Sequence, residues 1–277
     1  MSRAKTRRKL QNCLFELAMV LCTLVVVVPL LMVLLGSFKT SAEAIVPSLK
    51  LPENFLFSNY THVFEKGKIG RAMINSVFMT VVVVIICLGS SALCSFIISR
   101  RNCIYTKALN VLFKLGMIAP MSIIPTILLL QNLNIMGTYL GAILVYIAIN
   151  LPWSMFIYTS FMKSIPRELE EAAIIDGCGP FRMFTSIVFP LLKNVTITNV
   201  VVVAMGVWND FTLPLYLFGS SKKWTLPMSV YNFYGLYSRD WNYVFADIVI
   251  TALPMILLYF IAQKHIVDGL TAGSVKG

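Results

Sequence analysis

The stretch LGMIAPMSIIPTILLLQNLNIMGTYLGAILVYIAINLPWSMFIYTSFM, residues 115–162, decides the fold. Its 48 residues carry no charge, whereas one helix needs about 20 residues to cross a bilayer. Two crossings must therefore lie within it, and Gln131-Asn132-Leu133-Asn134 with Gly137-Thr138 supplies the turn between them. Uncharged runs recur on either side, 22 residues over 17–38 and 28 over 72–99. A last run, near 244–263, has Asp247 towards one end and Pro254 inside. The run 194–209 is shorter, only 16 residues, and holds Thr196, Thr198 and Asn199. Extending it to Leu217 gives a full crossing but brings Asn209 and Asp210 to membrane depth, where polar groups face protein or water. The expectation is an all-α polytopic membrane protein with six transmembrane helices, at 14–38, 72–99, 109–131, 140–162, 191–217 and 244–264.

Composition agrees. Of 277 residues, 58% are apolar and 13% charged, about half the charge a soluble surface carries. A soluble globule and a disordered chain are both excluded. The net charge of +11 is first a question of sidedness. With the N-terminus inside, 15 of the 23 basic residues fall on inner segments, five of them (Arg3, Lys5, Arg7, Arg8 and Lys9) before the first helix. Both ends are thus expected in the cytoplasm of a bacterial-type inner membrane, with lipid as a partner and no call for nucleic acid. Ala42-Glu43-Ala44 resembles a cleavage site, but the apolar stretch before it is too long for a signal peptide. The six cysteines all fall in spans or inner segments, which implies no disulfide framework. With only His62 and His265 to join them, no spacing resembles a metal site.

One hydrophilic island, 163–190, separates the fourth and fifth spans. Pro166 suits the first turn of a helix, and Glu168, Glu170 and Glu171 suit its positive end. Leu169, Ala172, Ala173 and Asp176 are spaced to share a face, while Gly177 and Gly179-Pro180 end the helix. A second helix follows, with Phe181, Phe184, Val188 and Leu191 expected on one side. A short helix rich in alanine, acidic at its start and bounded by Pro and Gly, suits a groove in another protein. A capped, solvated connector reads equally well from composition.

Glu171-Ala172-Ala173, three residues, Gly177, nine residues, then Ile187-Val188-Phe189-Pro190 resembles the EAA motif of binding-protein-dependent ABC importer permeases. Phe189 stands where that motif usually has Leu, and Cys178-Gly179 where it often has Ala-Ser. Ser37-Phe38-Lys39-Thr40, Leu151-Pro152-Trp153, Trp208-Asn209-Asp210-Phe211 and the tail from Gly269 to Gly277 extend the resemblance. They are similar to the smaller permease of maltose-type carbohydrate importers. The resemblance implies a type I ABC importer permease fold and no catalysis on this chain. It also implies three kinds of partner: a cytoplasmic ABC ATPase dimer, a second permease in a heterodimer, and an extracytoplasmic solute-binding protein.

On that basis the island is the loop that docks in the ATPase, with Glu171, Ala172, Ala173, Asp176, Gly177 and Pro190 as its working residues. The chain has no G-x4-G-K-[ST] loop to cradle a phosphate, so no cofactor is expected on it; ATP and Mg belong to the partner. Gly269, Leu270, Thr271, Ala272 and Gly273 would reach the ATPase as well, although an unanchored tail is the default reading. Candidates for the solute path are Asn75, Asn150, Trp153, Asn199, Trp208 and Asn209, each of which could equally be interhelical glue or an interface anchor. Ser220, Ser221 and Trp224, in the outer segment 218–243, are candidates for the binding-protein contact; an aromatic belt at the membrane surface is the plainer reading. Alternatives left open are a permease for a non-sugar solute and an ion-coupled transporter. The latter would want ionisable groups at mid-membrane, where the spans hold essentially none.

Overall fold

A computed structural model describes the backbone of residues 2–235 and 240–272, with side chains over 12–235 and 240–264. Its elements are helices: α1 (Ser2–Gly36), α2 (Ser41–Ala44), α3 (Ser58–Lys66), α4 (Ile69–Arg100), α5 (Ile104–Ile118), α6 (Ile123–Asn132) and α7 (Tyr139–Met162). There follow α8 (Glu168–Ile175), α9 (Pro180–Met183), α10 (Phe189–Leu191), α11 (Lys193–Trp208), α12 (Thr212–Leu217), α13 (Leu226–Ser229) and α14 (Trp241–Ala272). Among the described residues Asn12–Gly36, Ile69–Arg100, Tyr139–Met162 and Trp241–Lys264 are long and apolar enough to cross a membrane. Pro180–Leu191 with Lys193–Trp208, bent by 80°, makes a fifth if the pair is one span.

Two expected crossings are not single helices. The one placed at 109–131 is α5 and α6, separated where Ala119 turns extended (ψ 123°) ahead of Pro120. A residue before proline is pushed out of the helical region, and proline itself has no N–H to continue the ladder. The one placed at 191–217 stops at Trp208 and restarts as α12. There Asp210 Oδ1 accepts the backbone N–H of Thr212 at 2.8 Å, starting a new helix instead of prolonging the old.

The chain divides into two compact units, residues 1–69 with 229–252 and residues 70–228 with 253–277. In the first, none of the most apolar 18-residue window of α1 is buried within the chain, and close packing begins at its last residue, Gly36. A Cβ at Gly36 would clash with the Phe245 ring, so only glycine fits there. Asn59 Nδ2 donates to the Ser37 and Lys39 carbonyls, both at 2.9 Å, and Asn59 Oδ1 accepts from Asn242 at 3.3 Å. The Lys39 ammonium, 3% exposed, donates to the Ser48 carbonyl and hydroxyl. Thr40 and Glu43 form a reciprocal capping box at the start of α2.

The second unit packs α4, α7 and α11 round two apolar clusters. One gathers Met79, Val83, Tyr146, Val203 and Val207, the other Leu88, Tyr158, Met162, Val188 and Val195. Short polar links tie the same helices. Ser154 Oγ donates to Asn199 at 3.2 Å, Tyr158 to Thr196 at 3.1 Å, and Thr159 to Ser95 at 3.2 Å. In a bilayer such links are worth about 0.6–2 kcal/mol each.

Candidate functional site

Everything that positions the island lies within the second unit. After α7, Pro166 and Arg167 lead into α8, whose first turn holds Glu168, Glu170 and Glu171. At its C-terminus Gly177 takes a left-handed φ of +76°. The Gly177 N–H then reaches the Ile174 carbonyl (3.0 Å) and the Cys178 N–H the Ala173 carbonyl (2.9 Å), a Schellman closure that needs a residue free of the Cβ penalty.

Of the four residues spaced to share a face of α8, three lie outward together and Ala173 does not. Glu170 (8% exposed) and Ala173 (4%) turn inward, while Leu169, Ala172 and Asp176 face out. The reason is an ion pair. Arg100, at the end of α4, donates through Nε to Glu170 Oε1 at 2.6 Å and through Nη2 to the Ile165 carbonyl at 3.1 Å. A carboxylate this buried needs such a partner, and once paired it fixes the rotation of α8. Leu169, Ile174 and Ile175 are consequently exposed, Ile175 to 85%, and Phe181 beyond them to 74%. Glu171, Ala172, Asp176, Gly177 and Pro190 are exposed as well, and Ala173 is buried.

The second island helix also departs from a simple stripe. Phe184 to Val188 form a π turn, so Phe184 and Val188 go into the core (6% and 0% exposed) while Phe181 and Leu191 stay outside. The four do not share a side.

The solute-path candidates separate by what their polar atoms do. Asn75 Nδ2 donates to the Lys222 and Trp224 carbonyls at 3.0 and 2.9 Å, and its Oδ1 accepts from Tyr139 at 2.9 Å. Asn199 is 1% exposed; it accepts from Ser154, and its Nδ2 has no hydrogen-bond partner among the described residues. Trp208 is 3% exposed and borders an apolar cavity of about 320 Å³ with Thr80, Val84, Ala204 and Leu258. Asn150 donates back to the Tyr146 carbonyl of its own helix and is half-buried. Trp153 (38% exposed) and Asn209 keep open surface. Asp210 accepts from Tyr146 at 2.9 Å.

Around Ser220, Ser221 and Trp224 the segment that follows α12 is latched. Besides the two Asn75 bonds, Ser76 Oγ accepts the Leu226 N–H at 2.8 Å, and Lys223 donates to the Gly137 carbonyl. Ser220 and Ser221 remain exposed on this fixed base, and Trp224 packs against the core. Gly269, Leu270, Thr271 and Ala272 are described as helical backbone only, and Gly273 lies outside the described residues.

Sequence reasoning missed the Arg100–Glu170 pair. On the sequence alone Arg100 is one of the inner basic residues and Glu170 one of three acids in the first turn of the island helix. No local signal could have found it, because the two partners lie 70 residues apart. Among the described residues no group of three His, Cys, Asp or Glu is placed to hold a metal ion.

The family model described as binding-protein-dependent transport system inner membrane component matches residues 85–271, which include the whole island. The chain is 31% identical over 262 residues to the diacetylchitobiose uptake system permease protein NgcG of Streptomyces coelicolor, covering 93% of this chain and 87% of that one. It is 30% identical over 260 residues to the multiple sugar-binding transport system permease protein MsmG of Streptococcus mutans, covering 91% and 93%. In fold it matches a chain from the crystal structure of a bacterial ABC transporter involved in the import of the acidic polysaccharide alginate. The TM-score is 0.81 at 19% identity, over 92% of this chain and 96% of that one. With its apolar helices and its island accounted for together, the chain belongs to the family of binding-protein-dependent transport system inner membrane components, and is a multi-pass membrane transport subunit rather than an enzyme.

Proposed function

We propose that this subunit forms half of the translocation path of an ATP-driven sugar importer, with α8 as the element through which a separate ATPase moves it. The observation that carries the reading is the exposed ridge of α8, apolar at Leu169, Ile174 and Ile175. It sits on a helix whose rotation is fixed by Arg100 and whose end is fixed by Gly177. A surface both apolar and rigid suits a preformed groove, because little ordering entropy is lost on docking. The sugar class follows the relatives, whose names specify diacetylchitobiose and multiple sugars.

In the cycle, an ATPase dimer closing on ATP and Mg draws this loop and its counterpart on a second permease together, and the helices carrying the loops turn the path outward. Glu171, Ala172 and Asp176 meet the ATPase; Ala173, Gly177 and Pro190 hold the shape that presents them. Gly269–Gly273 add a second contact to the same partner. Ser220 and Ser221 meet the solute-binding protein, and Trp224 anchors their base. Asn150, Trp153 and Asn209 contact the solute, whereas Asn75, Asn199 and Trp208 hold helices and loop in place. Both termini lie in the cytoplasm.

The test is uptake of labelled oligosaccharides by proteoliposomes containing the chain with its cognate ATPase, second permease and solute-binding protein. Uptake should need ATP and vanish with Glu171→Lys at normal insertion. Uptake that survives without ATP but collapses with the proton gradient would refute the ATP-driven reading. Full activity of Glu171→Lys would refute the docking role.

A further inference from the structure

We propose that the chain binds the phosphate group of an anionic phospholipid at the foot of α4 and α5. A cavity of about 240 Å³ opens there, lined by Arg100, Arg101, Asn102, Lys107, Asn110 and Arg167, with Ser99 and Thr106 among its remaining walls. No acidic residue lines it. Arg100 is already paired with Glu170. The side chains of Arg101, Lys107 and Arg167 have no acidic or hydrogen-bonding partner among the described residues, and the Ser99 hydroxyl has none either. Three cations facing one hollow repel one another unless an anion sits between them. The positive end of α5 and the negative end of α4 both border the cavity and oppose each other, so its charge is that of the basic side chains.

The surroundings favour a lipid over a free ion. From this cavity α5 continues as an apolar outer face. Ile104 (77% exposed), Val111 (55%), Leu115 (59%) and Ile118 (76%) follow one another up the helix at spacings that keep them on one side. A headgroup held by Arg101, Lys107 and Arg167 would lay its acyl chains along that face. Basic pockets between membrane helices recognise anionic headgroups in this way. Arg167 also immediately precedes α8, so the bound phosphate would brace the island from the membrane side. None of this depends on which solute is carried.

The test is native mass spectrometry of the full-length chain in detergent, titrated with phosphatidylglycerol and, in parallel, phosphatidylcholine. The wild type should retain one phosphatidylglycerol in preference to phosphatidylcholine. The double variant Arg101→Gln/Lys107→Gln should bind it about 30-fold more weakly, at roughly 1 kcal/mol per basic residue. Lys107→Arg should bind like the wild type, and it serves as the folded control if the double variant is unstable. Equal retention of both lipids by the wild type, or of phosphatidylglycerol by both proteins, would overturn the site. Complete displacement of the lipid by 10-fold excess inorganic phosphate would overturn the lipid as its occupant.

Discussion

Replacing Arg100 with Met is expected to loosen α8 without disturbing the helices that cross the membrane. The ion pair is short, 2.6 Å, and its side chains are only 13% and 10% exposed. Removing one partner of a buried pair costs about 3–5 kcal/mol, because the other charge stays behind unpaired. The residual exposure here argues for the lower end, about 3 kcal/mol. Since 1.4 kcal/mol is tenfold, local opening of α8 should rise roughly 100-fold. Hydrogen exchange of a peptide spanning 165–178 reads that opening directly, with a peptide from α7 as the internal reference. The decisive comparison is Arg100→Met/Glu170→Leu. Apolar replacement of both partners removes the buried charge altogether and is often neutral, so the double variant should exchange close to wild type. Exchange in Arg100→Met within about two-fold of wild type, or a double variant at the sum of the two singles, would refute the pair as the lock on α8.

Two further outcomes follow from the same unit. Gly177→Ala should weaken the end of α8 by about 1–2 kcal/mol through backbone strain alone, because an added Cβ there meets nothing within 4 Å; exchange at 174–178 should rise while the thermal midpoint of the helical signal holds. Asn75→Ala removes three hydrogen bonds and should release the outer segment 219–226, seen as faster proteolysis there, with the exchange of α8 unchanged.

The class of fold was legible because charge is so scarce: a run such as 115–162 has no soluble solution. The exact course of the helices was less so. The break at Pro120 and the restart after Asp210 depend on one backbone torsion and one side-chain acceptor, which hydropathy averages away. In the island the turn at Gly177 could be read from residue type, since φ above zero selects glycine. The rotation of α8 could not. Periodicity gave Leu169, Ala172, Ala173 and Asp176 one face, but the helix turns on Glu170, whose partner lies 70 residues earlier. A long-range ion pair leaves no trace in local spacing. The same holds for Asn75: an asparagine within an apolar span reads as a path residue until the carbonyls of Lys222 and Trp224 are seen to occupy it.

The unburied apolar length of α1 has an evolutionary corollary. Residues there do not answer to neighbours in their own chain, since none of the most apolar 18-residue window of α1 is buried within it. So far as this subunit's own folding is concerned, many apolar sequences of that length satisfy the requirement, and drift is cheap. The licence ends abruptly at Gly36 and Ser37. The Phe245 ring excludes any side chain at the first, and the second gives its carbonyl to Asn59 and shares a hydrogen bond of 2.6 Å with Tyr60. Within a few residues the helix passes from a region where composition is enough to one where identity is required.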